Sequence, residues 1–455
     1  MGRATRIVAT AVAVPVLAVL LLTAGTLLKP HGGDSSTADS STANGQTGPR
    51  SALRGSQTSR TSQTSLTGLA KAIAGLQTKL AANPQDAAGW AALGLAYVQQ
   101  ARITADPSFY AKAGQALATS LTVKPVGNAE ALVGSASLAA GRHDFLEALT
   151  LVNRALVIND YSATAYGVKT DALTELGRYD EALTAVQRMV DLRPGLDSLA
   201  RVSYSFELHG DIAQARATLE RAARDAFSPA DKAFAEYYLG ELAWNTGDLT
   251  GARAHYDAGL AADPSYIQLV EGRAKTSAAR GASAEALSDL RQVTQTQPQP
   301  AYLVEFGELL EATGQQAAAR QQYDVVRATE QLFIAQGVDV DVELALFEAD
   351  HGSPASAVAA AGKGYHRRPL SITAQDAYGW ALHAAGRDAQ ALPLARQAVR
   401  LNSPQPALYY HLGVISAAVG DRAGARTALT RALTLNPHFN PLQAPQARAL
   451  LDSLQ

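Results

Sequence analysis

The amino-acid sequence predicts an all-α solenoid, and three periodic features predict it. Glycines suited to closing a helix fall at Gly141, Gly177, Gly210, Gly247, Gly281, Gly314, Gly352, Gly386 and Gly420, at spacings of 33 to 38 residues. A small residue follows most of them by five positions: Ala182, Ala215, Ala252, Ala286, Ala319, Ala357, Ala391 and Ala425. Prolines recur where the following helix would end, at Pro194, Pro264, Pro298, Pro369 and Pro437. Helix, glycine stop, helix, proline stop is one unit, and a fixed beat of this length is the mark of a stacked repeat.

Residues 163–196 spell the unit most fully. Tyr166, Leu173 and Leu176 give the first helix an apolar stripe. Gly177 ends it, since glycine takes the left-handed backbone at little cost. Asp180 and Glu181 suit the positive end of the second helix, and small Ala182 lets the two helices approach. Val186, Met189 and Val190 carry the second apolar face, Arg193 suits its end, and Pro194 stops it. Residues 69–82 read as a single helix with Leu69, Ile73, Leu76 and Leu80 on one stripe. Residues 444–454 read as an unpaired closing helix. The second helix of the first full unit is placed after Asp106-Pro107 and before Pro125. The stretches 224–229 and 328–337 are expected as longer second helices or turns.

The first full unit contains DAAGWAALGLAY, in which Trp90, Leu93, Gly94 and Tyr97 stand at characteristic spacing. With Tyr179, Ala182 and Pro194 of the later unit, this pattern resembles the tetratricopeptide repeat, a 34-residue helix–turn–helix module. The resemblance covers roughly residues 69–455. It implies a right-handed superhelical solenoid of about ten units, with first helices lining a concave wall and second helices outside. It also implies a binding scaffold whose repeats carry no reaction of their own.

The N-terminus differs from the rest. Arg3 and Arg6 precede residues 7–28, a run of 22 residues without a charge. At 1.5 Å per residue the run reaches roughly 33 Å, close to a bilayer's hydrocarbon core. The leading arginines put the N-terminus in the cytoplasm and the array outside. Residues 1–30 are therefore expected as a signal anchor. A signal peptide cleaved after Gly25, leaving a secreted protein, is the alternative. Residues 31–67, rich in Ser, Thr and Gly, are expected as a disordered linker of about 30–37 Å mean span. Residues 68–455 are then the solenoid with its caps.

Composition narrows the function. With no cysteine, disulfides and thiolate chemistry are excluded. A net charge of −2 gives no basic field for nucleic acid. No metalloprotease, nucleophile-elbow, P-loop or dinucleotide motif is present, so neither an enzyme nor a cofactor is expected. Gly362-Lys363-Gly364 lacks the upstream glycine of a phosphate loop. The histidines are scattered, and His209 and His351, each before a closing glycine, are expected as solvated turn residues.

The inner-wall phase implied by the resemblance collects Asp171, Glu175, Asp197, Glu207, Glu241, Glu271, Glu308, Glu311, Asp339, Asp350 and Asp376, with Lys275 as the one base. Tyr204, Tyr237, Trp244, Trp380 and Tyr410 fall in the same phase. Arg188, Arg221, Arg253 and Arg426 are among many arginines placed outside. Carboxylates converging on a concave wall focus a negative potential. The expected function is thus a membrane-tethered adaptor that takes a Lys/Arg-bearing segment of a partner protein. Its expected groove is Tyr204, Glu207, Tyr237, Glu241, Trp244, Glu271, Glu308, Glu311, Asp376, Trp380 and Tyr410. The alternative is an exported cell-wall or glycan binder using those aromatics. A solvated acidic face without a ligand is the plainer reading of the same stripe.

Overall fold

A computed structural model describes residues 66–455, and these form α-helices joined by short turns. A single helix, α1 (Leu66–Ala82), opens the array. Four hairpins follow: α2 (Ala87–Thr104) with α3 (Ser108–Val123), α4 (Ala129–Gly141) with α5 (Phe145–Ile158), α6 (Ala163–Glu175) with α7 (Tyr179–Leu192), and α8 (Leu196–Leu208) with α9 (Ile212–Arg224). The middle comprises α10 (Pro229–Asn245) with α11 (Leu249–Ala262), α12 (Ile267–Ala279) with α13 (Ser283–Thr296), and α14 (Pro300–Ala312) with α15 (Gln316–Ala335). The last are α16 (Asp341–His351) with α17 (Pro354–Arg367), α18 (Ile372–Ala384) with α19 (Asp388–Ala398), and α20 (Pro406–Ala418) with α21 (Arg422–Leu435). A lone α22 (Gln443–Ser453) closes the chain.

Ten hairpins between two unpaired helices is the arrangement the periodicity predicts. The slack is taken up by the four-residue turn before α10 and by α15, which extends to 20 residues. α1 starts at Leu66, two residues inside the stretch expected as linker. The expected membrane segment and the rest of the linker lie outside the described residues. Among the described residues no helix is long and apolar enough to cross a membrane.

Local chemistry sets each hairpin. Gly177, Gly210, Gly247, Gly281, Gly314, Gly386 and Gly420 all adopt φ between +72° and +84°. The next helix is often capped at once: Asp211, Asp248 and Asp421 accept the N–H three residues on. Two expected stops are made differently. α4 runs through Gly141, which faces the Tyr110 ring, and His143 takes the left-handed backbone at φ +61°. Gly352 has φ −140°, and the Glu348 carboxylate accepts the Ser353 N–H at 2.8 Å to make the turn.

The alanine row does what its size allows. Ala182, Ala215, Ala252, Ala286, Ala319, Ala357, Ala391 and Ala425 are each at most 1 % exposed, at the crossings of paired helices. Larger side chains fill the spaces between crossings. The Tyr256 ring, fully buried, sits against both Gly240 and Gly272, and Tyr323 sits against Gly307. First helices are buried over much of their circumference, whereas α7 buries only Ala182, Ala185, Val186 and Met189. The second helices thus present one stripe inward and the rest to solvent.

Contacts at long sequence separation close one superhelical turn on the next. Gln297 Nε2 donates to the Arg102 carbonyl, a separation of 195 residues, and the Asp339 carbonyl lies 2.8 Å from His143 Nδ1 at 196. The Ile372 N–H donates to Tyr179 Oη at a separation of 193, and Asn436 Nδ2 to the Trp244 carbonyl at 192. At about 34 residues per unit, this repeat of contacts is between five and six units. The glycine turns of one turn meet the interunit loops of the next: Gly177 against Leu370, Gly210 against Asn402, Gly247 against Leu435.

A candidate binding chamber inside the superhelix

The first helices and the C-terminal segment border a partly open cavity of about 400 Å³. Its wall includes Tyr204 and Glu207 of α8, Glu241 and Trp244 of α10, Lys275 of α12, Glu305 and Glu308 of α14 and Asp376 of α18. Residues Asn436–Pro441 and the start of α22 complete it, so the chain's own C-terminal segment forms one side.

The groove residues expected from sequence separate into two groups. Tyr204, Glu207, Glu241, Trp244, Glu308 and Asp376 face the chamber. Tyr237, Glu271, Glu311, Trp380 and Tyr410 are not among its lining residues. Tyr237 is 2 % exposed, its ring packed beside Tyr238 and Tyr266. Trp380 is 1 % exposed, stacked on His411 with centroids 4.1 Å apart, and its Nε1 donates to Asp350 Oδ1. Glu311 accepts the Tyr323 hydroxyl at 2.8 Å, and Tyr410 donates its own hydroxyl to Gln446. With Trp380 enclosed, the glycan reading loses one of its two tryptophan platforms.

Much of the inner acid is already paired. Lys275 Nζ lies 2.9 Å from both oxygens of Glu241 and 2.9 Å from Glu271, and 5.7 Å from the Trp244 ring centroid. Burial works against the ammonium, but Glu241, Glu271 and Glu305 together hold its pKa above the usual lysine range. Glu241 also accepts the Tyr256 hydroxyl at 2.7 Å. Asp376 faces His411 Nδ1 at 2.9 Å, and Glu175 meets Arg368 at 3.4 Å across the seam between turns. Arg201 holds Asp171 through two parallel 2.8 Å hydrogen bonds, both side chains almost wholly buried.

Other carboxylates have only neutral partners. Glu207 accepts from Asn245 Nδ2 at 2.9 Å, and burial pushes its pKa up to about 7. Glu308, with no exposed surface, accepts from Asn440 Nδ2 at 3.1 Å, and burial raises it well above the carboxylate range. Its second oxygen is 3.0 Å from His351 Nε2, and burial lowers that imidazole to about 4. His351 is therefore a neutral core residue stacked on Tyr323, not the solvated turn residue expected from its place before Gly352. Glu305, also raised by burial to about 7, has an Oε2 that accepts no hydrogen bond.

Sequence reasoning overlooked Arg201, Arg368, Glu305 and Asn440. Arg201 and Glu305 sit on first helices, where the inner phase could have found them. Arg368 and Asn440 reach their partners across 193 and 132 residues, a relation that depends on superhelical pitch. Among the described residues no group of three or more His, Asp or Glu side chains is placed to hold a metal ion.

Ten helical hairpins around an inner chamber define a helical-repeat scaffold. Tetratricopeptide-repeat family models match residues 133–197, 207–267 and 406–439, and the chain carries tetratricopeptide repeats there. Proteins built from such repeats are typically non-catalytic interaction scaffolds. No curated protein matches the chain in sequence. Among solved structures, it is similar to a tetratricopeptide repeat protein from Parabacteroides merdae at 19 % identity, covering 57 % of this chain and 98 % of that one, TM-score 0.34. The Cut9–Hcn1 hetero-tetramer of APC/C aligns over 85 % of this chain and 93 % of that one at 12 % identity, TM-score 0.40. PilW, a type IV pilus biogenesis factor, aligns over 44 % and 92 % at 18 % identity, TM-score 0.37.

Proposed function

We propose that this chain is a non-enzymatic adaptor, tethered to a membrane by residues 7–28, whose superhelix receives a basic element of a partner protein. The observation that supports it best is the charge balance of the chamber. Glu207, Glu305 and Glu308 face it with no cation in direct contact, and Lys275 is occupied by Glu241 and Glu271. Burial raises Glu207 and Glu305 to about 7 and Glu308 further, so a positive group entering this low-dielectric cavity would displace their protons and pair with the carboxylates. The leading Arg3 and Arg6 support an orientation with the array outside the cytoplasm.

The test is affinity capture from detergent-solubilised membranes of the producing cells, with the full chain as bait. Wild type and Glu207→Lys are compared after both are shown to melt alike. The proposal expects a membrane-associated partner retained by wild type, lost by the variant, and released as salt shortens the screening length from about 10 Å toward 3 Å. A partner held equally by both chains, at any salt, contradicts it.

A further inference from the structure

We infer that the free edge of the first superhelical turn is a lipid-contacting rim, which seats Val126, Val157, Tyr161 and Phe227 in the headgroup boundary of the membrane that holds the chain. The inference rests on the membrane-tethered reading above and adds a second point of attachment to it.

The seam shows how the two edges of the array differ. Helix-closing turns of the first superhelical turn meet interunit loops of the second: Gly177 against Leu370, Gly210 against Asn402, Gly247 against Leu435. Among the described residues that pairing leaves two edges bare, the closing turns of the second superhelical turn and the interunit loops of the first. On the former, Gly281, Gly314, Gly386 and Gly420 have open space beside them. Two residues after these glycines stand Ser283, Gln316, Asp388 and Arg422, where the covered turns carry Tyr179, Ile212 and Leu249. That edge suits water. The first-turn edge does not. Its loops 124–128, 159–162 and 225–228 carry Val126, Tyr161 and Phe227, and Val157 precedes the second of them at the end of α5. These four, between 72 % and 96 % exposed, are the most exposed large apolar side chains among the described residues. Single exposed apolar residues are ordinary, but confinement of these four to one of two bare edges is not.

The pattern favours lipid over protein. Each tip is isolated: Asn159 and Asp160 part Val157 from Tyr161, Asp225 and Ser228 flank Phe227, and Lys124 and Gly127 flank Val126. A protein interface needs a contiguous packed core, and a second copy stacked head to tail would meet the polar second-turn edge. Acyl chains, being fluid, close around separate tips. Lys124 and Arg224 are offset by Asp160 and Asp225, so the attraction is apolar and needs no anionic headgroup. Residues 29–65 alone separate the uncharged run 7–28 from α1, so an anchor there holds the first superhelical turn close to the bilayer.

The chain has no cysteine, so single cysteines for nitroxide labels can be placed in the full chain: Val157→Cys, Phe227→Cys and, on the opposite edge, Gln316→Cys. Each labelled chain is reconstituted in phosphatidylcholine vesicles. Collision with oxygen, which concentrates in lipid, is compared with collision with a polar nickel chelate, which stays in water. The inference expects the oxygen-to-nickel ratio at 157 and 227 to exceed that at 316 by about fivefold or more, as for groups seated at the acyl boundary. Val126→Asp with Phe227→Asp should return the label at 157 to the ratio at 316, and thermal melts check that this variant folds. Equal ratios at all three positions overturn the inference. Protection of 157 and 227 from both reagents also overturns it, since a protein surface, a second copy included, then covers the rim. Flotation with the vesicles separates the two failures. If the chain floats while the rim labels stay aqueous, the rim inference falls alone; if the chain does not float, the tethered reading falls with it.

Discussion

Gly177 packs so closely on the Leu370 carbonyl of the next superhelical turn that a Cβ would overlap it. Gly281 has a similar backbone, φ +81° against +75°, but open space where its Cβ would go. The pair separates two roles of one repeated residue. Gly281→Ala should cost only the left-handed strain, about 1–2 kcal/mol. Gly177→Ala should cost that plus overpacking at the seam, about 1–3 kcal/mol more. Urea unfolding of both variants checks the difference; equal losses would mean that the seam contributes nothing.

Arg201 and Asp171 form a buried bidentate pair linking α8 to α6. Removing one member strands the other's charge, so Arg201→Ala should destabilise by about 3–5 kcal/mol. The double variant Arg201→Met, Asp171→Leu should recover most of the loss. Denaturant midpoints of the three chains decide this.

Stability should fall as pH rises through neutrality. Burial raises the folded-state pKa of Glu207 to about 7 and of Glu330 to about 8, above the ordinary carboxylate value of 4.5. The folded chain therefore holds protons that the unfolded chain has released. This contribution is fully present below about pH 4.5 and is lost between there and about pH 8. His351 acts in the opposite sense at lower pH. Its folded pKa of about 4 lies below 6.5, so its contribution is present above pH 6.5 and fades toward pH 4. Thermal melts from pH 5 to 8.5 should show Glu330→Gln gaining on wild type as pH rises. A constant difference across that range would refute the assignment.

Ala182 is 1 % exposed at the α6–α7 crossing. Ala182→Trp should force those helices apart, yet a solenoid's stability is shared between neighbouring units. Hydrogen exchange should show protection lost in α6, α7 and the adjoining helices, with α20 to α22 unchanged. Loss throughout the array would show that the turns unfold as one body.

Gly177, Ala182 and Pro194 were legible in the sequence because each answers to contacts within a single unit. Glycine marks a left-handed turn, alanine a close crossing, proline a stop. The chamber was legible only in part. Tyr204, Glu207, Glu241 and Trp244 follow from helical phase, but Tyr237 and Trp380 share that phase and are buried between helices. An aromatic at a given phase can face the lumen or pack against its neighbour, and the choice depends on the crossing geometry. Asn440 on Glu308 and Arg368 on Glu175 join residues more than a hundred positions apart, and no local pattern encodes the pitch that brings them together.

The most direct test of a partner-binding lumen is photo-crosslinking in cells, with mass spectrometry of what is captured. One crosslinker replaces Tyr204, which lines the chamber, and another replaces Arg221, exposed on α9. The account predicts one protein captured from position 204 alone, through a segment bearing Lys or Arg at the crosslink. Equal capture from both positions, or capture from 221 alone, would contradict it.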